Sequence, residues 1–218
     1  MQDFSLVHFL QQLSVWALPV LAAVILHEVA HGWVALRRGD ETALRLGRLT
    51  LNPISHVDPM GTVALPLLLI AVGSPFVFGW AKPVPVNVAN LRNPKRDMVA
   101  VALAGPLTNV VLALVSAGLL HVVLQLDASG PAVAVLRPIA LMAAHSVVIN
   151  IVLAVFNMVP VLPLDGGRVL FGLLPRAQAL AFARLEPYGM LIVMALLFTN
   201  TLDRVVGPVV NLVLRALL

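Results

Sequence analysis

The strongest constraint on this chain is the length of its apolar runs. Residues 98–126 and 133–158 each exceed the roughly 20 residues a helix needs to cross a bilayer, and residues 4–36 do so with a surplus. Composition agrees: 60% of the 218 residues are hydrophobic, 11% are charged and mean hydropathy is +0.98, whereas a soluble domain is about one quarter charged. The chain therefore reads as an all-α polytopic membrane protein with about four spanning helices, the last at residues 185–198. Without an internal repeat, residues 1–218 read as one domain, with a core at 14–170 and C-terminal helices at 171–218.

Prolines and glycines punctuate the runs. Pro19 is expected to kink the first, and Arg37, Arg38 and Gly39 end it. Residues 44–51 alternate apolar and polar side chains, which predicts a short β-strand followed by turns. Residues 62–78 are apolar, but Pro66, Gly73 and Pro75 interrupt them. In "GWAKPVPVN", Pro83 and Pro85 place both missing N–H groups on one edge while Val84 and Val86 donate from the other, which predicts a one-sided edge strand. Residues 205–218 read as half-inserted or interfacial.

Charge and cysteine content narrow the chemistry. Lys and Arg outnumber acids 14 to 10, and no basic run interleaves with aromatics, so an anionic lipid surface fits better than nucleic acid. The N-terminus has no basic region or small-residue cleavage signal, so the first run is expected to stay as an anchor. With no cysteine, disulfides and thiolate metal sites are excluded, and any metal must use His, carboxylate or water.

Against that background stands "VILHEVAHGWVAL", an acid and two histidines inside a lipid-like helix. His27 and His31 lie one turn apart on one helix face, close enough to share a tetrahedral metal. Glu28 sits beside them without being forced to ligate, free to take a proton from water and hand it to a leaving amine. Burying all three costs several kcal/mol or more unless something pairs with them. Lone membrane histidines such as His121 and His145 are equally well explained by hydrogen bonding across a helix interface.

A catalytic zinc takes three protein ligands and leaves one position open. Most remaining acids border apolar runs or sit in polar turns. Asp165 instead follows "VPVLPL" and precedes "GG", a braced segment that presents one carboxylate on tight backbone; a turn or N-cap role ahead of residues 166–174 is the alternative, and the two can coexist. Asn150 and Asn157 recur two turns apart, so both can face a metal and steady an oxyanion, or act as interhelical glue. Asn109, in "AGPLTN", suits close helix contact. His56 and Asp58 lie in a Pro-bracketed turn, as metal-supporting groups or as turn residues. The edge offered by Val84 and Val86 suits an unwound substrate held by β-augmentation.

The ordered motifs "HEVAHG", "NPISHVDPMGT", "FGWAKPVPVN", "AGPLTN" and "FNMVPVLPLDGG" resemble the site-2 protease family of intramembrane zinc metalloproteases, in its compact prokaryotic form without a PDZ or CBS domain. The resemblance implies one Zn2+ per chain held by His27, His31 and Asp165, with Glu28 as general base. It also implies a transmembrane protein as substrate, cut near the cytoplasmic side of the cell membrane, and puts His56 and Asp58 near the site. A metal-ion transporter would string polar residues through the whole membrane thickness; here they concentrate at 27–31 and 150–165. An inactive scaffold is the third reading, and the intact HExxH with Asp165 speaks against it.

Parity adds a topological expectation. The two histidines lie toward the Arg37 end of the first helix, and Asp165 follows the C-terminal end of 133–158. They meet only if 62–78 re-enters or forms a hairpin instead of spanning. Arg37, Arg38, Arg45, Arg48, Lys82, Arg92, Lys95, Arg96, Arg168, Arg176 and Arg184 then share one side, which the positive-inside rule makes cytoplasmic.

Overall fold

The computed structural model describes residues 6–73, 79–126 and 130–218, with side chains from Val15 onward apart from Pro131. In chain order the α-helices are α1 (Leu6–Arg37), α2 (Thr42–Arg45), α3 (Leu65–Ala71), α4 (Pro94–Gln125), α5 (Val133–Asn157), α6 (Asp165–Leu173), α7 (Arg176–Ala183), α8 (Gly189–Phe198) and α9 (Thr201–Leu217). Four segments are long and apolar enough to cross a membrane: Val15–Arg37, Pro94–Gln125, Val133–Asn157 and Arg176–Phe198. The fourth is α7 and α8 joined by a 3-10 turn at Glu186–Tyr188, so it starts earlier than the sequence predicts.

Helices α1, α4 and α5 pack together as the centre of the molecule. On α4 the buried residues Val101, Gly105, Asn109, Ala113 and Ala117 recur every four positions, while Leu107, Val111, Leu114 and Val115 point outward. Small side chains on the inner stripe let the neighbouring backbones approach, and the outer leucines and valines suit lipid. Helix α9 docks on the bundle instead of lying apart: Val210 joins Ala113, Ala117, Val147 and Ile151 in one buried cluster.

The ends of the long helices are tied. Arg92 N–H donates to the Arg38 carbonyl at 3.0 Å, and the Arg38 guanidinium pairs with the buried Asp97 at 3.2 Å. Pro94 opens α4 where its missing N–H costs nothing, and Asp97 accepts the Asn93 N–H at 2.8 Å. The C-terminal end of α1 therefore lies beside the start of α4.

Two expectations about β-structure fail. Residues 44–51 are not a strand: Asp40 accepts from Thr42 N–H and Oγ1, which starts the short helix α2, and irregular chain follows. The "GWAKPVPVN" segment is extended from Trp80 to Asn87 but has no ladder partner, and no β-strand occurs among the described residues. We call residues 79–91 the strap. Its backbone donors go singly to scattered acceptors, namely Trp80 N–H to the Gly61 carbonyl, Lys82 N–H to the His56 carbonyl and Val84 N–H to Glu28. Two prolines within four residues leave too few donors to build a ladder.

Residues 62–78 differ from a span for a physical reason. A π-helical turn (Pro59–Ala64) runs into α3 and stops at Gly73, where φ is +68°. Those 13 apolar residues, Pro59–Ala71, make roughly 20 Å of helix against about 30 Å of hydrocarbon. The chain then comes back. Besides the Trp80–Gly61 hydrogen bond at 3.1 Å, Thr62 Oγ1 donates to the Trp80 carbonyl at 2.9 Å, so both ends of the segment touch. Gly61 has to be glycine, because a Cβ there would overlap the Trp80 indole. The intervening residues 74–78, like 127–129 of the α4–α5 turn, lie outside the described residues.

Candidate metal centre

Helical spacing delivers the first two ligand atoms. His27 and His31 stack one turn apart on the buried face of α1, with Nε2 atoms 3.0 Å from each other. Asp165 arrives from α6, where it is the first helical residue, and its Oδ2 lies 3.2 Å from His27 Nε2 and 3.3 Å from His31 Nε2. Gly166 and Gly167 make this position possible, since a Cβ on either would collide with backbone between Met158 and Leu162. The N-cap role offered as an alternative goes to Leu164 instead.

The donor set fits a metal ion. Ligand atoms bound at about 2.0–2.1 Å to a tetrahedral zinc stand about 3.3 Å apart, close to the separations here. Asp165 Oδ2 is buried without a hydrogen-bond partner, an arrangement that costs free energy unless a cation faces it. These three residues are the group of His and acidic side chains among the described residues whose ligand atoms converge in this way.

Each histidine is also held from behind. His27 Nδ1 lies 2.5 Å from Asn109 Oδ1, and His31 Nδ1 lies 2.7 Å from the Val101 carbonyl. With acceptors on that side the proton sits on Nδ1, and both Nε2 lone pairs point inward. Asn109 in turn donates to Asn150 Oδ1 at 2.7 Å and to the Ala23 carbonyl at 3.2 Å, and Asn150 donates to the Ser146 carbonyl at 2.8 Å. A chain of amides thus runs from α5 through α4 to the first histidine. Gly105 completes the seat, because a Cβ there would overlap both imidazoles.

Glu28 stands on the next helix position, half-buried, with Oε2 accepting the Val84 N–H at 2.7 Å. Together with His27 it opens into a cavity of about 380 Å³, whose wall includes Trp80, Phe156, Asn157 and Arg168.

The other residues expected from sequence separate into groups. Asn150 is buried behind His27 in the amide chain, whereas Asn157 lines the cavity and donates to the Leu153 carbonyl at 3.0 Å. His56 hydrogen-bonds through Nε2 to the Thr50 carbonyl at 2.8 Å, and Asp58 accepts the Met60 and Gly61 N–H groups as a cap. Both build the turn below the strap and are not among the converging ligand atoms. Val84 is buried with its N–H already taken by Glu28, and Val86 packs against Ala35, Leu91 and Met98. Outside the site, His145 stacks on Trp16 at 3.9 Å and His121 hydrogen-bonds the Ala117 carbonyl of its own helix at 2.8 Å.

Sequence reasoning did not place Arg168 or Trp80 in the cavity wall, nor Asp40 in any role. Asp40 is fully buried and accepts four hydrogen bonds, from Thr42 N–H and Oγ1, Asn87 N–H and Asn90 Nδ2. Burial pushes its carboxyl up, but the hydrogen bonds from Thr42, Asn90 and Asn87 outweigh burial and hold its pKa below the usual carboxylate range. The only sequence signal was an acid immediately after a helix-ending glycine.

A buried pair of helical histidines with a distant aspartate, inside a bundle of membrane-length helices, defines a membrane-embedded zinc metalloprotease. The chain belongs to the site-2 protease family: the model of peptidase family M50 matches residues 15–200. It is 35% identical to "Putative zinc metalloprotease YwhC" of Bacillus subtilis over 202 residues, 88% of this chain and 84% of that protein. It is 34% identical to "Putative zinc metalloprotease Rip2" of Mycolicibacterium smegmatis over 84% of this chain and 66% of that protein. With the Rip2 of Mycobacterium tuberculosis strain H37Rv the identity is 29% over the same shares. No solved structure matches.

Proposed function

We propose that this metalloprotease is an intramembrane endopeptidase acting in regulated intramembrane proteolysis, with residues 1–218 as one catalytic domain in the cell membrane. His27, His31 and Asp165 hold one zinc, which when bound supplies a Lewis acid that polarises a carbonyl and makes water easier to deprotonate. Glu28 takes the proton from water and returns it to the leaving amine. Its carboxylate is not among the converging ligand atoms, and its Oε2 accepts the Val84 N–H. The observation that carries this reading is the convergence of three ligand atoms on one point with Glu28 lining the adjoining cavity.

The substrate is a transmembrane segment, opened to an extended form so that its carbonyl reaches the centre. Asn157 and Arg168 on the cavity wall are placed to hold it. The basic residues at the C-terminal end of α1 and the start of α4 support a centre that faces the cytoplasm. The test uses purified protein in liposomes with a single-pass substrate, cleavage being mapped by mass spectrometry. Cuts within the apolar segment that stop on chelation and return with zinc support the reading. Cuts confined to soluble loops overturn its intramembrane part. Because the chain lacks cysteine, Arg45→Cys and Leu126→Cys report sidedness to an impermeant thiol reagent: only the second should label from outside an intact cell.

A further inference from the structure

On the other side of the α1–α4 junction lies a cavity of about 440 Å³ that shares no residue with the catalytic one. Its lining has a basic side, Arg38, Lys95 and Arg96, which we call the mouth, and an apolar side, Val99 and Leu103 of α4 with the exposed Leu173 of α6, which we call the floor. The polar and apolar halves are divided by the membrane boundary of α4 itself. After Asp97 that helix has no Asp, Glu, Lys or Arg through Gln125, so the cations stand at the edge of the hydrocarbon and the floor reaches into it.

Arg38 is paired with Asp97, whereas Lys95 and Arg96 have no acidic partner among the described residues. Asp97 is the acid nearest in sequence, and it is committed to Arg38 and to the Asn93 N–H. Lys95 Nζ donates to the Leu174 carbonyl at the end of α6, which satisfies one of its three protons without neutralising it. Lys95 and Arg96 are exposed, and they sit in the first turn of α4, where the helix dipole disfavours cations. Helix stability therefore does not explain them.

We propose that this cavity binds one anionic phospholipid, its phosphate held by Arg38, Lys95 and Arg96 and an acyl chain lying along Val99, Leu103 and Leu173. Charge complementarity selects the headgroup, and the adjoining apolar floor selects a lipid over a soluble anion. A guanidinium suits bidentate phosphate contact and a lysine adds a point charge, a combination fitted to a phosphodiester. Basic pockets between helices at the membrane surface bind such headgroups. Gly172 keeps the α4–α6 contact tight beside the floor, since a Cβ there would overlap Val99.

Native mass spectrometry of the delipidated, zinc-loaded protein in detergent tests the proposal, titrating phosphatidylglycerol, phosphatidylcholine or inorganic phosphate. Phosphatidylglycerol is expected to give one saturable adduct and a raised Tm, and the other two neither. Lys95→Ala/Arg96→Ala should weaken that adduct roughly 30-fold, from about fivefold per surface cation. Retained stoichiometric zinc reports that the variant is folded. Should the double variant lose its zinc, Leu103→Trp serves instead, filling the floor with all three cations kept, and it should displace the lipid. Equal binding of both lipids, an unchanged adduct in a folded variant, or a Tm shift with phosphate alone would each overturn the proposal.

Discussion

The two walls of the catalytic cavity are built on opposite principles. On one side, α1, α5, α6 and α8 satisfy their own backbone hydrogen bonds, so side chains alone decide what the wall presents. On the other, the strap has no ladder, and its backbone is held by Glu28, Asp40 and carbonyls of the turn below it. The helical wall is positioned by spacing and the strap by single tertiary hydrogen bonds. Substitutions of the ligands on the helical wall should therefore change metal binding, whereas those of Glu28, which joins the two walls through the Val84 N–H, or of the groups that anchor the strap should change turnover or stability with the metal retained.

The largest expected effects separate metal ligation from proton transfer. Asp165→Ala should abolish stoichiometric zinc and activity together, since two imidazoles hold zinc loosely; tight zinc in that variant would mean a different third ligand. Glu28→Gln should keep the metal and lower cleavage about 10²–10⁴-fold, measured as zinc content against product formation. Unchanged turnover would remove Glu28 from the mechanism.

A smaller effect probes the support behind the helical wall. Asn109→Ala removes the acceptor for His27 Nδ1 and breaks the amide chain to Asn150. It should weaken zinc about 10–100-fold, seen by competition with a graded chelator. If affinity is unchanged, the amide chain is packing and not metal support.

The smallest effect lies where Asp40 anchors the strap. Asp40→Asn should cost about 2 kcal/mol at neutral pH, read from unfolding in detergent, with zinc bound as before. The sign with pH follows from a folded pKa held below the usual value. The carboxylate's contribution is fully present above about pH 4 and is lost as pH falls through the folded pKa. Wild type and variant should converge in acid; a constant gap would mean that Asp40 acts through shape alone.

The same division explains what the sequence reveals. His27 and His31 are readable because a helix converts four residues into one turn, and the buried cost of two imidazoles demands a partner. Parity then required residues 62–78 to return, and the contact between Gly61 and Trp80 brings the two ends of that segment together. The predicted strands failed because alternation and proline spacing describe one segment, whereas a strand also needs a neighbour. Asp40 left almost no trace, since its four partners come from residues 42, 87 and 90 and nothing local distinguishes it from a surface turn. Asn150 and Asn157 share a helix face yet part company, because α4 approaches α5 closely enough to claim only the former.

The order of the ligands along the chain has a consequence for how the molecule is made. His31 and Asp165 are separated by about 130 residues, which a ribosome adding roughly 5–20 residues per second takes on the order of ten seconds to supply. Throughout that interval the first helix exists with two imidazoles and no carboxylate, while α4 and α5 are still being threaded. The hydrolytic centre cannot be assembled until α1, α4 and α5, which form the middle of the bundle, have all been made. The site is therefore a long-range closure in the order of synthesis, and an ion held there ties the earliest membrane helix to α6.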